Sequence, residues 1–315
     1  MHFSSDSLQT FVAVAEERSF SLAAKKLHKS QSSVSSQVNL LEEQCGTKLF
    51  DRSPRPLRLT QAGVLLLTFA KDVMYRAQAL NASLAELKEG IAGEVKIGAI
   101  TSIATFLLPP IVRGILDRFK NLRITVSAQN VSQLCESVRR GEIDFAILLS
   151  DQEPSGVSAR VLRTESLFFV VAPDHVSASQ RQMRMERVRN TRFIMGQEGS
   201  SYTKMLDRML QKKGVSRYEV AARISTLEGM KEIARTGIGV SILPQYIVER
   251  EIRTKALRRI QIKGLELCAN IYLVENVLSV ETRTVVAVRN LIITYITGRL
   301  RMITIRNKRR KGGSL

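Results

Sequence analysis

Ser19-Phe-Ser-Leu-Ala-Ala-Lys-Lys-Leu-His-Lys-Ser-Gln-Ser-Ser-Val-Ser-Ser-Gln-Val-Asn-Leu-Leu-Glu-Glu-Gln-Cys-Gly46 reads as two short helices joined by a tight turn. Ser19 or Ser21 can cap the first helix and Ser30 the second, because a hydroxyl there accepts from a free N–H of the first turn. Ala23, Ala24 and Leu27 form a small apolar face on the first helix. Val34, Val38, Leu41 and Cys45 recur on the second at spacings of four, three and four, which is one helical stripe. Gln31, Ser32, Ser33, Ser35, Ser36 and Gln37 open that helix with short, uncharged hydrogen-bonding side chains. Small alanines let two helices cross closely, and a polar N-terminal face of this kind suits entry into a major groove.

An ordinary helical hairpin with a solvated serine face would show the same residues, but the flanks argue against it. Upstream, Leu8, Phe11, Val12 and Ala15 make a third amphipathic helix. Downstream, Gly46 stops the second helix, and Pro54 and Pro56 turn the chain between two extended pieces, Leu49–Arg52 and Leu57–Leu59. The result is a wing, with Arg52, Arg55 and Arg58 placed to meet phosphates or the minor groove.

Taken together, Ser19-Phe20, Ala23-Ala24, Leu27, Ser30-Gln31, Val34-Ser35, Gln37, Leu41-Glu42, Gly46, Leu49-Phe50-Asp51-Arg52 and Leu59-Thr60-Gln61-Ala62-Gly63 resemble the amino-terminal signature of LysR-type transcriptional regulators. The resemblance implies a winged helix-turn-helix domain over residues 1–60 that binds double-stranded DNA. Many members carry Arg or Lys where this chain has Ser36 and Asn39, so its helix offers hydroxyls and amides to base edges.

Residues 61–90 carry a second pattern. Leu66, Ala70, Val73, Ala77, Leu80, Leu84 and Leu87 alternate at spacings of four and three, a heptad seam capped by Thr60 and ended by Gly90. About 30 helical residues span roughly 45 Å, and the seam must be hidden by the protein's own core or by a partner's copy of the same helix. The resemblance points to the latter, a homodimer through residues 61–90, with pairing into a homotetramer and contact with RNA polymerase as further implications.

From Gly93 the pattern changes to strands alternating with helices, which implies α/β domains with mainly parallel sheets. Expected strands are Glu94–Ile100, Leu122–Ala128, Ile143–Leu149, Leu167–Ala172, Arg192–Met195, Val220–Ile224, Val240–Leu243 and Asn270–Val274. Expected helices include Pro109–Phe119, Tyr202–Lys212, Leu227–Arg235 and roughly 280–297. Val95-Lys-Ile-Gly98, Leu107-Leu-Pro109, Gly141-Glu-Ile-Asp144 and Gly237-Ile-Gly-Val-Ser-Ile-Leu-Pro244 resemble the effector-binding domain of the same regulators. That domain is similar to a type 2 periplasmic binding protein. The implied fold class is therefore α/β with an N-terminal all-α winged helix-turn-helix, a long linker helix and a two-lobed effector domain. This domain occupies residues 91–300, lobe I being about 91–165 and 270–300 and lobe II about 166–269.

A cleft in such a fold lies at the carboxyl ends of strands, where the following helices present free N–H groups. This places Thr101, Ser102, Asn130 and Ser150 in the first lobe at the cleft, with Gln197, Ser200, Ser201 and Thr226 in the second. Ser and Thr are also the ordinary caps of those helices. Ser102 stands out, since the family often uses Ser or Thr at this strand end. The expected occupant is a small-molecule co-inducer, with an anionic metabolite suggested by the neutral hydrogen-bonders and the surrounding charge.

Charge is informative by location. The chain is +19 overall, but residues 1–60 hold eight Lys/Arg against six Asp/Glu. Residues 166–270 hold nineteen against ten, and residues 271–315 nine against two. The positive excess thus lies mostly outside the head, as a basic solvated surface, an auxiliary DNA contact or an attraction for an anionic ligand. The tail 301–315 is basic and poor in apolar residues, the composition of a disordered segment.

Hydrophobic content is 44% without an 18-residue apolar run, so no membrane span is expected, and no secretory signal is visible at the start. Cys45, Cys135 and Cys268 are widely spaced, which fits buried thiols in a reducing cytoplasm better than a disulfide frame or zinc site. No metal or other cofactor is expected. Catalytic triad spacing, phosphate loop and ligand clusters are missing, so an enzyme is not expected. A solute-binding protein would share the second-half fold but would have no use for residues 1–90. An effector-independent DNA-binding protein is the remaining alternative to a cytoplasmic, ligand-responsive regulator.

Overall fold

The computed structural model describes residues 3–51, 53, 56–179, 182–183, 188, 191–215, 217–276 and 281–298. The chain divides into two compact units, one built mainly from residues up to Gly90 and one from Ile91 onward.

In the first unit, α1 (Ser5–Glu17), α2 (Phe20–Lys26) and α3 (Gln31–Cys45) pack around one core. Each start has a hydroxyl cap: Ser4 accepts from the Ser7 N–H, Ser19 from Leu22 and Ser30 from Ser33, each satisfying a donor the helix itself cannot. Ser19 rather than Ser21 is thus the cap of α2. Gly46 ends α3 at φ 67°, a left-handed geometry that glycine adopts without strain. Phe11, Ala23, Val34, Val38 and Leu41 are fully buried. Phe11 and Phe20 tilt against Phe50, with ring centroids 5.3 and 5.8 Å away. The wing is a two-residue ladder, β1 (Phe50–Asp51) antiparallel to β2 (Arg58–Leu59). It is shorter than its expected strands, and Arg52, Pro54 and Arg55 lie outside the described residues.

The linker helix α4 runs from Gln61 to Glu89. Thr60 caps it, accepting from Gly63 N–H at 3.0 Å and donating to the Lys48 carbonyl at 2.7 Å. The expected single seam divides. Leu66 and Ala70 are buried in the head core with Val73 packed against them, whereas Ala77, Leu80 and Leu84 are exposed. The side chain of Leu87 lies outside the described residues. A different apolar group, Val64, Leu65 and Phe69, is exposed on the first turns. The physical reason is that a three-helix head of this size leaves its core open on one side, and the nearest apolar stripe closes it.

In the second unit, one sheet follows the order β4-β3-β5-β12-β6-β10-β8-β9. Its first half comprises β3 (Gly93–Ala99), β4 (Leu122–Ala128) and β5 (Phe145–Ser150). The second comprises β8 (Arg192–Met195), β9 (Glu219–Arg223) and β10 (Val240–Pro244). Within each half the strands are parallel. The long strands β6 (Ser158–Val171) and β12 (Leu267–Glu275) carry the chain between halves, antiparallel to each other and to their other neighbours. The sheet is therefore mixed rather than mainly parallel. Two short strands complete it at one side, β7 (Gln182–Met183) and β11 (Arg258–Ile262).

Helices α5 (Leu108–Arg118), α6 (Val131–Arg139) and α10 (Arg283–Ile296) pack with the first half. Those of the second half are α7 (Ser201–Lys212), α8 (Leu227–Arg235) and α9 (Gln245–Arg253). A π-helical stretch, Ile103–Leu107, precedes α5. No described helix is long and apolar enough to cross a membrane.

Candidate functional site

The first candidate surface is the amino-terminal face of α3. Gln31, Ser32, Ser33 and Ser36 are exposed there, and Ser35 is half-buried. Gln31 is already oriented, since its side-chain oxygen accepts from the Ser21 hydroxyl at 2.9 Å, leaving its NH2 free to donate. Gln37 differs from expectation. Its amide oxygen accepts from Thr10 at 2.7 Å and Lys29 at 3.2 Å, while its nitrogen donates to Asp6 at 2.6 Å. Both ends of the amide are occupied by the head itself, so Gln37 holds α3 to α1. The bonds from Lys29 and Gln37 keep the Asp6 carboxyl below its ordinary pKa.

The wing is fixed to the far end of α3 by Glu42, which is 3% exposed. One carboxylate oxygen accepts from the Leu49 and Phe50 N–H groups at 2.9 and 3.3 Å, and the other pairs with Lys48 at 2.8 Å. Burial pushes the Glu42 pKa up, but the Lys48 ammonium and the two N–H donors outweigh it, and the net displacement is downward. Arg58 lies exposed on β2 opposite Asp51. Arg52 and Arg55 lie outside the described residues.

The second candidate is a cavity of about 430 Å³ between the two halves of the second unit. Thr101, Ser102, Asn130, Ser200, Ser201 and Thr226 all line it. Ser150 and Gln197 do not. The Ser150 hydroxyl accepts from Gln152 N–H in a local turn, and Gln197 is exposed at the turn before α7. Three of the lining residues act as helix caps. Asn130 accepts from Gln133 N–H, Ser200 from Thr203 and Thr226 from Gly229, at 2.9, 3.2 and 3.1 Å.

Each cap satisfies the third N–H of its helix and leaves the first two, and the residues bearing those earlier donors, Val131, Ser201, Tyr202, Leu227 and Glu228, are among the cavity lining. Helix amino termini carry partial positive charge and unsatisfied N–H groups. A group with acceptor oxygens is therefore the natural guest.

Ser102 is 7% exposed and its hydroxyl lies 2.8 Å from that of Tyr246, across the two halves. Tyr246 in turn donates its backbone N–H to Glu165 at 3.0 Å, and Glu165 pairs with Arg163 at 2.6 Å. Burial raises the Tyr246 pKa, so the phenol keeps its proton. Among the described residues no Lys or Arg lines the cavity, and the one charged residue that does, Glu228, pairs with Lys231 at 3.0 Å. The described cations of residues 166–270 therefore do not line the cavity. Thr105, Phe106, Gln129, Tyr202, Ser225 and Glu228 complete the polar and aromatic lining and were not expected. Thr105 and Phe106 are presented by the π-helical stretch, whose wider winding leaves no periodic trace in a short segment.

Comparison with known proteins agrees with this architecture. The family description "Bacterial regulatory helix-turn-helix protein, lysR family" matches residues 5–64, and "LysR substrate binding domain" matches residues 88–295. A probable RuBisCO transcriptional regulator of Cyanidioschyzon merolae is 26% identical over 279 residues, covering 87% of this chain and 92% of the relative. Among solved structures, a full-length OxyR variant from Pseudomonas aeruginosa aligns with TM-score 0.72 at 21% identity, covering 94% of this chain and 95% of that one. Full-length CbnR, solved with its target DNA, aligns with TM-score 0.65 at 19% identity, covering 94% and 99%. With a helix-turn-helix head joined to an effector-binding domain, the chain belongs to the LysR family of DNA-binding transcriptional regulators.

Proposed function

We propose that this regulator reads duplex DNA with the exposed amino-terminal face of α3, Gln31, Ser32, Ser33 and Ser36, supported by Arg58 and the remaining wing arginines Arg52 and Arg55 on the backbone or minor groove. It responds to a small molecule bearing acceptor oxygens, bound between the lobes by Thr101, Ser102, Ser201 and the helix amino termini. It works in the cytoplasm as a homo-oligomer. The observation that carries the reading is the cavity of about 430 Å³ on which the first turns of α6, α7 and α8 converge, in a chain whose head leaves α3 uncovered. That CbnR was solved with its target DNA supports the first half of the reading. The exposed Val64, Leu65, Phe69, Leu80 and Leu84 of α4 support self-association, since a partner's copy would remove them from water. Binding at the interlobe cavity would bias the lobes toward one arrangement and so change the spacing or angle of paired heads.

The experiment is selection of bound sequences from a random duplex pool by the full chain, with and without a panel of organic acids. The expected product is a two-fold symmetric site whose protection pattern changes with one acid. Recovery of sequences no different from the input pool would defeat the DNA-reading proposal. A site whose footprint no acid alters would favour the effector-independent alternative.

A further inference from the structure

The amino-terminal head carries little net charge with which to hold a polyanion. Its sequence through residue 60 holds only two more cations than anions. Lys26, Lys29 and Lys48 are committed to Glu16 and Glu17, Asp6 and Glu42. Phosphate contacts supply most of the sequence-independent affinity for DNA, so a chain with this head benefits from cations elsewhere.

They occur on the second lobe in one compact helix–turn–strand. Arg250 and Arg253 stand on the last turn of α9, Lys255 in the turn, and Arg258 and Arg259 at the start of β11. The turn is closed by bonds from Thr254 N–H to the Arg250 carbonyl at 2.9 Å and from Leu257 N–H to that of Glu251 at 3.2 Å. All five side chains are exposed. Arg259 stacks over the Phe168 ring, its guanidinium carbon 3.8 Å from the centroid, which holds that charge in place. Among the described residues Arg250, Arg253, Lys255 and Arg258 form no ion pair. The acid nearest in sequence on the helix's inner side, Glu251, is taken by the buried Lys231 at 3.2 Å, leaving exposed Glu249 as the one acid of the run outside an ion pair. One or two cations in a last turn complement the helix dipole. Five within ten residues exceed that need.

We propose that the α9 side of this segment, Arg250, Arg253 and Lys255 with Arg259 beside them on the same face of the sheet, is a second docking surface for duplex DNA, gripping phosphates without reading bases. Arg258 leaves the opposite face of β11 and is not part of it. It goes beyond base reading by α3, resting only on the reading that the chain binds DNA. Held on the same chain as the head, such cations act at high effective concentration. They add affinity and salt sensitivity without changing sequence preference.

The test compares the full chain with Arg250→Gln/Arg253→Gln/Lys255→Gln on a 60-base-pair duplex of arbitrary sequence, titrated between 50 and 300 mM salt. Arg259 is left in place because it packs on Phe168. A control, Arg113→Gln/Lys120→Gln/Arg123→Gln, removes the same charge from the first lobe. The slope of log affinity against log salt should fall by about 0.9 for each phosphate no longer neutralised, about 2.7 for the triple variant, and stay at the parent value in the control. An unchanged slope in the triple variant overturns the proposal, and leaves an acidic protein surface as the occupant to consider. Equal falls in variant and control also overturn it, because a diffuse net charge would then suffice. Arg253→Gln/Lys255→Gln, which leaves Arg250 in place, should lower the slope by about 1.8 and serves if the triple variant melts early. Failure of the parent chain to bind duplex at all would instead strike the DNA-binding reading.

Discussion

Replacing Glu42 separates two accounts of how the wing is held. Its carboxylate accepts from two backbone N–H groups, of Leu49 and Phe50, and also pairs with Lys48. Leu49 and Phe50 are 1% and 3% exposed, so an N–H that loses its acceptor there finds no ready water. Each such orphan costs about 1–3 kcal/mol, and Glu42→Ala should therefore cost the head about 2–6 kcal/mol. Lys48 is 72% exposed at its side chain, and an ion pair with so wet a partner contributes at most about 1 kcal/mol. Glu42→Gln keeps a carbonyl acceptor for the N–H groups and loses the charge, so its cost should be about 1–2 kcal/mol.

The assay is amide hydrogen exchange on the full chain, read at Leu49 and Phe50, because a two-unit protein does not unfold as one transition. Protection at both amides should fall at least tenfold in Glu42→Ala and clearly less in Glu42→Gln, with DNA affinity following. A Gln variant as damaged as the Ala variant would show that the Lys48 pair dominates and refute the ranking. The pH dependence has a definite sign. Glu42 is held below its ordinary pKa, so its contribution is present above about pH 4.3, the unfolded value, and is lost as pH falls through the folded pKa. Glu42→Gln should remove that acid-side loss of protection.

Gly63→Ala would set a Cβ 2.1 Å from the Leu49 carbonyl oxygen, so α4 must shift off the wing; melting of the head several degrees lower is expected, and an unchanged melting point would contradict the close approach. Gln31→Ala should change base preference at one position and cost about 1–3 kcal/mol there. Gln37→Ala should lower head stability while keeping the preferred sequence, and a changed preference on its loss would return Gln37 to the base-reading set. Leu80→Asp or Leu84→Asp puts a charge on the exposed apolar part of α4 and should abolish self-association in ultracentrifugation and weaken operator binding together. A variant still dimeric at micromolar concentration would place the interface elsewhere.

The head was legible because its signals are local. Caps at Ser19 and Ser30, the alanine pair, the stripe through Val34 and Leu41 and the stop at Gly46 each lie within one or two turns of the residue they fix. What the sequence hid was competition over long separations. The period through Leu66, Ala70, Val73, Ala77, Leu80 and Leu84 is a true helical stripe, but periodicity does not say who covers it. Its first turns are taken by Phe11, Leu49 and their neighbours in the head core. In the second unit, β6 begins at Ser158, nine residues before the apolar run starting at Leu167. Arg160, Arg163, Thr164 and Glu165 disguise a strand whose ladder with β12 is set by tertiary pairing rather than propensity. Helix α9 and strand β11 were missed for a related reason. Five cations between Arg250 and Arg259 dilute a hydrophobic pattern reduced to Ile247, Val248, Leu257 and Ile260.

The cavity shows how far small polar residues can be read from sequence position alone. Asn130, Ser200 and Thr226 line the cavity and also cap helices whose first-turn residues line it. A side chain that takes the third N–H leaves the first two for a guest, so capping and recognition cooperate rather than compete. Ser102 works differently. A buried phenol needs an acceptor, and the partner of the Tyr246 hydroxyl is the Ser102 oxygen. If Tyr246 donates there, the single Ser102 hydrogen is free to point into the cavity, and a ligand acceptor is favoured over a ligand donor at that spot. On the proposed reading the lining would favour an oxygen-rich guest through the direction of its donors, and no Lys or Arg among the described residues lines it, which would separate ligand recognition from the cationic surface of the same lobe.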